Sequence, residues 1–258
     1  MRIQAFSALR PTADLVHRVA SLPYDVVDTD EARALVEREP LSFLRVVRSE
    51  VDLPDDTDPA ADAVYQRAAE RLSELQASGV MVREQVPTIY LYRQEMTLAG
   101  RRLSQTGVVA CCHVEDYQSD RIKKHELTRK AKEDDRTRHV LTLGANTGPV
   151  FLLHQDEAPL DALVQQDCRA DPLYDFEAED GVRHTVWRAA DPTPYVEGFA
   201  AVQTTYVADG HHRSASASRA AMSRAAANPE HLGHEEYNWF LAVMFPASAL
   251  TILPYHRL

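Results

Sequence analysis

Apolar residues recur at three- and four-residue steps between Ala60 and Ser78, where Ala61, Val64, Tyr65, Ala68, Leu72 and Leu75 form one stripe. This spacing predicts an amphipathic helix, with Gly79 as its natural stop and Tyr65 as a core aromatic. A second helix is expected from Asp28 or Thr29 to Glu39, with a capping side chain at its start, Glu31 in its first turn and Pro40 at its end. Alternating or β-branched runs predict strands over Ser42–Val47, Val150–His154, Gly181–Arg188 and Trp239–Phe245, and an extended piece from Thr251 to Arg257. Thr88–Glu95 and Leu103–His113 read as a hairpin around Ala99-Gly100. Leu160–Cys168 reads as a short helix and Ala215–Ala227, which lacks Gly and Pro, as a longer one. The acidic, Pro-punctuated stretch 51–59 reads as a surface loop and residues 171–180 as an acidic connector. Strand followed by helix, repeated, predicts an α/β (α+β) fold: a mixed sheet with packed helices. A boundary near residue 85 is expected between an N-terminal α/β segment, 1–85, and a larger C-terminal core, 86–258, unless the two form one domain.

Composition narrows the possible partners. A chain of 258 residues, 45% hydrophobic, can bury a sizeable core. Its net charge of −11 lacks the basic footprint of a nucleic-acid-binding protein, which disfavours a nucleic-acid partner. Cys111, Cys112 and Cys168 form neither a CxxC pair nor a disulfide framework, so reduced thiols in a cytoplasmic protein are expected. Cys111 and Cys112 read as core and edge residues of the hairpin rather than nucleophiles. No apolar run approaches the length of a membrane span.

The densest chemistry lies in Asp209-Gly210-His211-His212-Arg213-Ser214, between a β-branched approach (Val202 to Val207) and the Ala-rich helix. A strand-to-helix turn presents unpaired N–H groups and the positive end of a helix dipole, which suits an anion. Gly210 permits close backbone approach, and Arg213 supplies a planar cationic fork suited to phosphate oxygens. His211 and His212 add donors, and Asp209 could hold a cation or accept a proton. The plain alternative is a capped helix with solvated histidines. A second concentration is Lys123-Lys124-His125-Glu126-Leu127-Thr128, continuing through Lys132 to Asp135-Arg136. Such a run is either a charge-laced helix face or a site in which a carboxylate deprotonates a hydroxyl while lysines balance phosphate charge. Pro23-Tyr24-Asp25-Val26 reads as a loop or strand edge, with Asp25 a turn residue or a site residue. Asn146 lies in the turn before the Val150 strand. His231 and His234 lack a nearby third metal ligand.

These stretches carry a resemblance. Asp209-Gly210-His211-His212-Arg213 is similar to the signature of ParB/sulfiredoxin-like nucleotide-binding proteins, in the form found in their free-serine-kinase (SerK-like) branch. Pro23-Tyr24-Asp25-Val26, His125-Glu126 with Thr128 and Asp135-Arg136, and Asn146 with Pro149 extend the likeness over most of the chain. The resemblance implies a kinase that transfers a phosphoryl group from ATP or ADP, with Mg²⁺, to the hydroxyl of a free amino acid, L-serine, giving O-phosphoserine. It implies catalytic Glu126, His125 and Asp209, with Asp209 also a Mg²⁺ ligand. Gly210, His211, His212, Arg213 and Ser214 would hold the phosphates, in a ParB/sulfiredoxin-like nucleotide-binding core over 86–258 with 1–85 contributing to the substrate side. Tyr24, Asp25, Lys123, Lys124, Thr128, Lys132, Asp135, Arg136 and Asn146 would serve the acceptor or support the site. The second reading is a ParB-type regulatory switch that binds CTP or ATP without transfer, and a homodimer is compatible with either. Sulfiredoxin-like reductase chemistry needs a cysteine where His211 and His212 stand. Relatives by this resemblance generally continue past the Leu253-Pro254 to Arg257 stretch, so the chain is expected to be a short form or to lack a C-terminal part.

Overall fold

Short apolar runs split by Pro and polar turns give short elements at the N-terminus of this computed structural model, which describes residues 1–98 and 100–251. Strands β1 (Ile3–Gln4) and β2 (Leu9–Pro11) precede helix α1 (Val16–Val19). Helix α2 (Thr29–Arg38) begins on a reciprocal cap: Asp28 accepts from the Glu31 N–H, and the Glu31 carboxylate accepts from the Asp28 N–H. Helix α3 (Leu44–Val47) then takes the place of the strand expected over Ser42–Val47. Leu44, Val46 and Val47 are all buried, because one helical turn packs against both α2 and the amphipathic α4 (Asp62–Ala77). The apolar stripe of α4 is buried as its spacing requires.

Strand β3 (Met81–Arg83) pairs with β2 in a small sheet. Strands β4 (Tyr90–Leu98) and β5 (Arg101–His113) form the expected hairpin, antiparallel in register from Tyr90–Val109 to Leu98–Arg101. Then follow α5 (Val114–Gln118), β6 (Ile122–Lys123), α6 (Lys130–Leu143), β7 (Val150–His154) and α7 (Ala158–Asp167). The 171–180 stretch is not merely a connector. It contains β8 (Tyr174–Glu177), an edge strand whose charged side chains mask its pairing with β9 (Arg183–Arg188). Helix α8 (Thr193–Ala201), β10 (Thr205–Asp209), α9 (His211–Ala226) and β11 (Trp239–Pro246) complete the described elements. The extended piece expected beyond Thr251 lies outside the described residues.

Nine strands among the described residues join one mixed sheet, in the order β6-β10-β7-β11-β5-β4-β9-β8, with β1 alongside the far end of β5. The fold is therefore the expected α+β arrangement of a mixed sheet with packed helices. Its main core is built on one sheet face, where Val150, Leu152, Val207, Phe240, Ala242 and Met244 pack with Tyr195 and Phe199 of α8 and Ala217 and Ala221 of α9. Two smaller cores hold the N-terminal helices, one around Leu72, Leu75 and Met81 and one around Ala32, Val36 and Leu44. Cys112 is buried in the main core, and burial pushes the neighbouring Cys111 thiol up to about 12. Neither sulfur is a ready thiolate. Among the described residues, no helix is long and apolar enough to cross a membrane.

Candidate functional site

Strand direction gathers the sequence motifs at one end of the sheet. β6 runs parallel to β10, so the 124–129 loop leaves the sheet beside the end of β10. β7 runs antiparallel to β10, which brings the turn before Val150 to the same end. The register slips between Val207–Leu152 and Asp209–Phe151, so Ala208 is the extra residue of a β-bulge and Asp209 is carried out to the rim.

The turn itself is shorter than the sequence suggests. Gly210 alone, at φ 91, links β10 to α9, and His211, His212 and Arg213 lie in the first helical turn. A Cβ at this position would stand 3.3 Å from the Val150 Cα and 3.3 Å from the Arg213 guanidinium. Gly210→Ala is therefore expected to cost about 1–3 kcal/mol, through left-handed backbone strain and crowding of Arg213. Urea unfolding measures this cost, and an unchanged midpoint would contradict it.

Helices α6 and α9 lie side by side and parallel. The Arg129 N–H donates to His212 Nε2, Ser216 Oγ to the Glu133 carbonyl, and Arg224 to the Leu141 carbonyl, each across the same separation of 83 residues. A constant separation means a parallel pair, so both positive dipole ends meet at the 124–129 loop and the Gly210 turn. Each carries about half an elementary charge, and an anion there is stabilised by both.

His211 is only 5% exposed. Its ring meets the edge of His125 at 4.5 Å between centroids, and its Nδ1 stands 3.6 Å from Glu126 Oε2. That separation is too long for a hydrogen bond but close enough for Coulomb coupling. Burial, and then the proximity of His125, push the His211 pKa down, so the ring is neutral at neutral pH. Its Nε2 is buried without a partner among the described residues. Glu126 is 62% exposed, a carboxylate facing solvent with a neutral imidazole behind it.

Arg213 is fastened inward, its Nη1 donating to the Pro149 carbonyl and its Nη2 to Asp209 Oδ2. An anion reaching this turn competes with Asp209 for the same guanidinium edge. Ser214 is fully buried and its hydroxyl donates back to the Gly210 and His211 carbonyls, so it fastens the helix start. Asp209 keeps Oδ1 without a protein partner among the described residues and is 65% exposed. One such carboxylate fits Mg²⁺, which takes one or two carboxylates and otherwise water or substrate phosphate oxygens. Among the described residues, no group of three or more His, Cys, Asp or Glu side chains is arranged to hold a metal.

The remaining sequence candidates fall in two places. Arg136 stacks on the Tyr24 ring at 4.4 Å and donates through Nε to Asp135, which also accepts from the Tyr65 hydroxyl at 2.7 Å. Burial raises the Tyr24 phenol pKa against the pull of both Arg136 and Arg213, so this cluster lies within the field of the Gly210 turn. Asp25 is exposed beside it. Lys123 and Lys124 are drawn away, to Asp120 and to the Tyr117 carbonyl and ring. Thr128 bonds Glu133, Lys132 is exposed on the first turn of α6, and Asn146 reaches the Trp239 carbonyl at 3.4 Å. Two shallow concavities, about 570 Å³ beside α4 and about 340 Å³ beside α2, contain none of the motif residues.

Two contributors escaped the sequence reading. Arg48 ties down the motif loop by donating to the Tyr24 and Val27 carbonyls. Tyr65, correctly read as core, also orients Asp135. The amphipathic stripe could flag a buried Tyr that needs a polar partner. Nothing local flags Arg48.

The chain belongs to the family described as "Protein of unknown function (DUF1015)", whose model matches residues 3–258. No curated protein and no solved structure matches the chain.

Proposed function

We propose that the protein is a small-molecule kinase that moves a phosphoryl group from ATP or ADP to the hydroxyl of a free amino acid such as L-serine. The observation that carries this reading is the convergence of two parallel helix N-termini on a loop whose carboxylate, Glu126, faces a buried neutral histidine. The N-termini and Gly210 suit the phosphates, with Arg213 adding positive charge. Glu126 would accept the acceptor's O–H proton as the oxygen bonds to phosphorus. The bond from phosphorus to the leaving nucleotide oxygen breaks, and its electron pair stays on the shortened nucleotide. His211, stacked edge to face with His125, stands behind that carboxylate at 3.6 Å. Mg²⁺, held by Asp209 together with phosphate oxygens, would supply neutralising charge. The motif resemblance to free-serine kinases adds weight to this reading.

The inward fastening of Arg213 favours a second reading, a nucleotide switch in which phosphate takes the fork from Asp209 and frees the turn. A switch has no use for Glu126. The test is ³¹P NMR of purified protein with Mg²⁺, ATP, ADP or CTP, and a panel of hydroxylated amino acids. A new phosphomonoester signal is expected with an amino-acid acceptor. Nucleotide binding without transfer to any acceptor selects the switch.

A further inference from the structure

Of the cations expected to serve the acceptor or support the site, Lys123 and Lys124 are both engaged at β6, with Asp120 and Tyr117. A different cation is better prepared. Arg136 is only 15% exposed, and its plane is fixed from two sides. Asp135 Oδ2 takes its Nε at 2.7 Å, and the Tyr24 ring covers one face. Tyr65 holds Asp135, while Arg48 holds the loop that carries Tyr24. Among the described residues, neither Arg136 Nη1 nor Nη2 has a hydrogen-bond partner, although the Nε edge and one face of the group are engaged. A largely buried guanidinium held in one plane, with its unpaired outer fork still reaching solvent, has little freedom to lose when it meets a partner. It is a good receptor for a planar anion with two acceptor oxygens.

Resting on the kinase reading, we propose that Arg136 is the acceptor-specificity residue, its fork taking the carboxylate of the free amino acid in a bidentate pair. Charge balance favours a monoanion. Asp135 already offsets part of the Arg136 charge, whereas a polyphosphate is better matched by the helix N-termini and Arg213. Asp25, exposed next to Tyr24, is the carboxylate available to the acceptor's ammonium. The substrate class follows: a free α-amino acid with an unblocked carboxylate, rather than an amide, an ester or a peptidyl serine.

The experiment compares L-serine with L-serinamide, which keeps the hydroxyl and the amine but lacks the carboxylate. Calorimetric binding and ³¹P-detected transfer are read for the unaltered protein, Arg136→Gln and Arg136→Lys, with ADP affinity as an independent readout. The unaltered protein is expected to bind and phosphorylate serine but not serinamide. Arg136→Gln is expected to weaken serine binding by about 100-fold with ADP affinity unchanged. Arg136→Lys, which keeps charge and packing but not the fork, is expected to recover only part of that loss. Equal use of serinamide, unchanged serine constants in Arg136→Gln, or loss of ADP rather than serine binding would each overturn the Arg136 assignment. Transfer by the unaltered protein would still leave the kinase reading standing in those cases. ADP binding with no amino-acid binding at all overturns both.

Discussion

Glu126→Gln is expected to lower phosphoryl transfer to a free hydroxyl amino acid by about 10²–10⁴-fold while leaving ADP binding and thermal stability unchanged. The argument rests on what the substitution leaves intact. Glu126 is exposed and makes no hydrogen bond among the described residues, so its removal takes nothing from the core. Gln has the same size but cannot accept the proton of an attacking hydroxyl at neutral pH. His211 does not replace it, because the ring is buried on the far side of the carboxylate and its pKa is already lowered by that burial. Arg213→Ala is expected to behave differently: the Pro149 carbonyl and Asp209 lose their shared partner, and nucleotide affinity falls together with transfer. Single-turnover rates and ADP titrations separate the two patterns. Equal rates for Glu126→Gln and the unaltered protein would remove the base from the mechanism.

The sequence carried those parts of the fold that are set locally. The stripe from Val64 to Leu75, the Asp28–Glu31 cap and the hairpin ending at Gly100 each depend on neighbours within a few residues, and each was legible. Residues 42–47 were misread because Leu44, Val46 and Val47 are good strand formers. Their helical turn is imposed by burial against α2 and α4, a contact that local propensity does not encode. The site divides along the same line. Asp209, Gly210 and Arg213 lie within five consecutive residues, so their association was readable, although the brevity of the turn was not.

The companionship of Glu126 with His211, and of Tyr24 with Arg136, spans 85 and 112 residues and depends on strand order. Parallel pairing of β6 with β10 sets the first of these and also sends Lys123 and Lys124 elsewhere. Parallel packing of α6 on α9 is likewise non-local. It places two positive dipole ends together, an arrangement with an intrinsic electrostatic cost that an anion at the shared end offsets. The same helix pair fixes the Asp135-Arg136 segment on the face of α6 turned toward Tyr65 and Tyr24, joining the N-terminal helices to the candidate site.

That junction titrates. His139, on the buried side of α6, is 3% exposed, with Nε2 donating to the Val46 carbonyl at 3.0 Å. Burial, helped by the Arg136 charge and opposed by that bond and by Asp135, holds its pKa at about 4, against 6.5 for an unperturbed imidazole. Between pH 6.5 and 4 the unfolded chain therefore binds a proton that the folded chain refuses. The stabilisation from neutral His139 is complete above pH 6.5, declines as pH falls through this window, and is lost below about pH 4. A displacement of this size corresponds to about 3 kcal/mol across the window. Other groups also titrate there, so the informative quantity is a difference between two proteins. His139→Gln places an amide donor near the Nε2 position and cannot ionise. Urea unfolding from pH 7.5 to 4 is expected to show the unaltered protein losing about 3 kcal/mol more than His139→Gln. Parallel curves for the two proteins would mean that His139 takes up its proton in the folded state at its ordinary pKa. In that case the α3–α6 contact, and with it the support beneath Asp135 and Arg136, would have to be open to water.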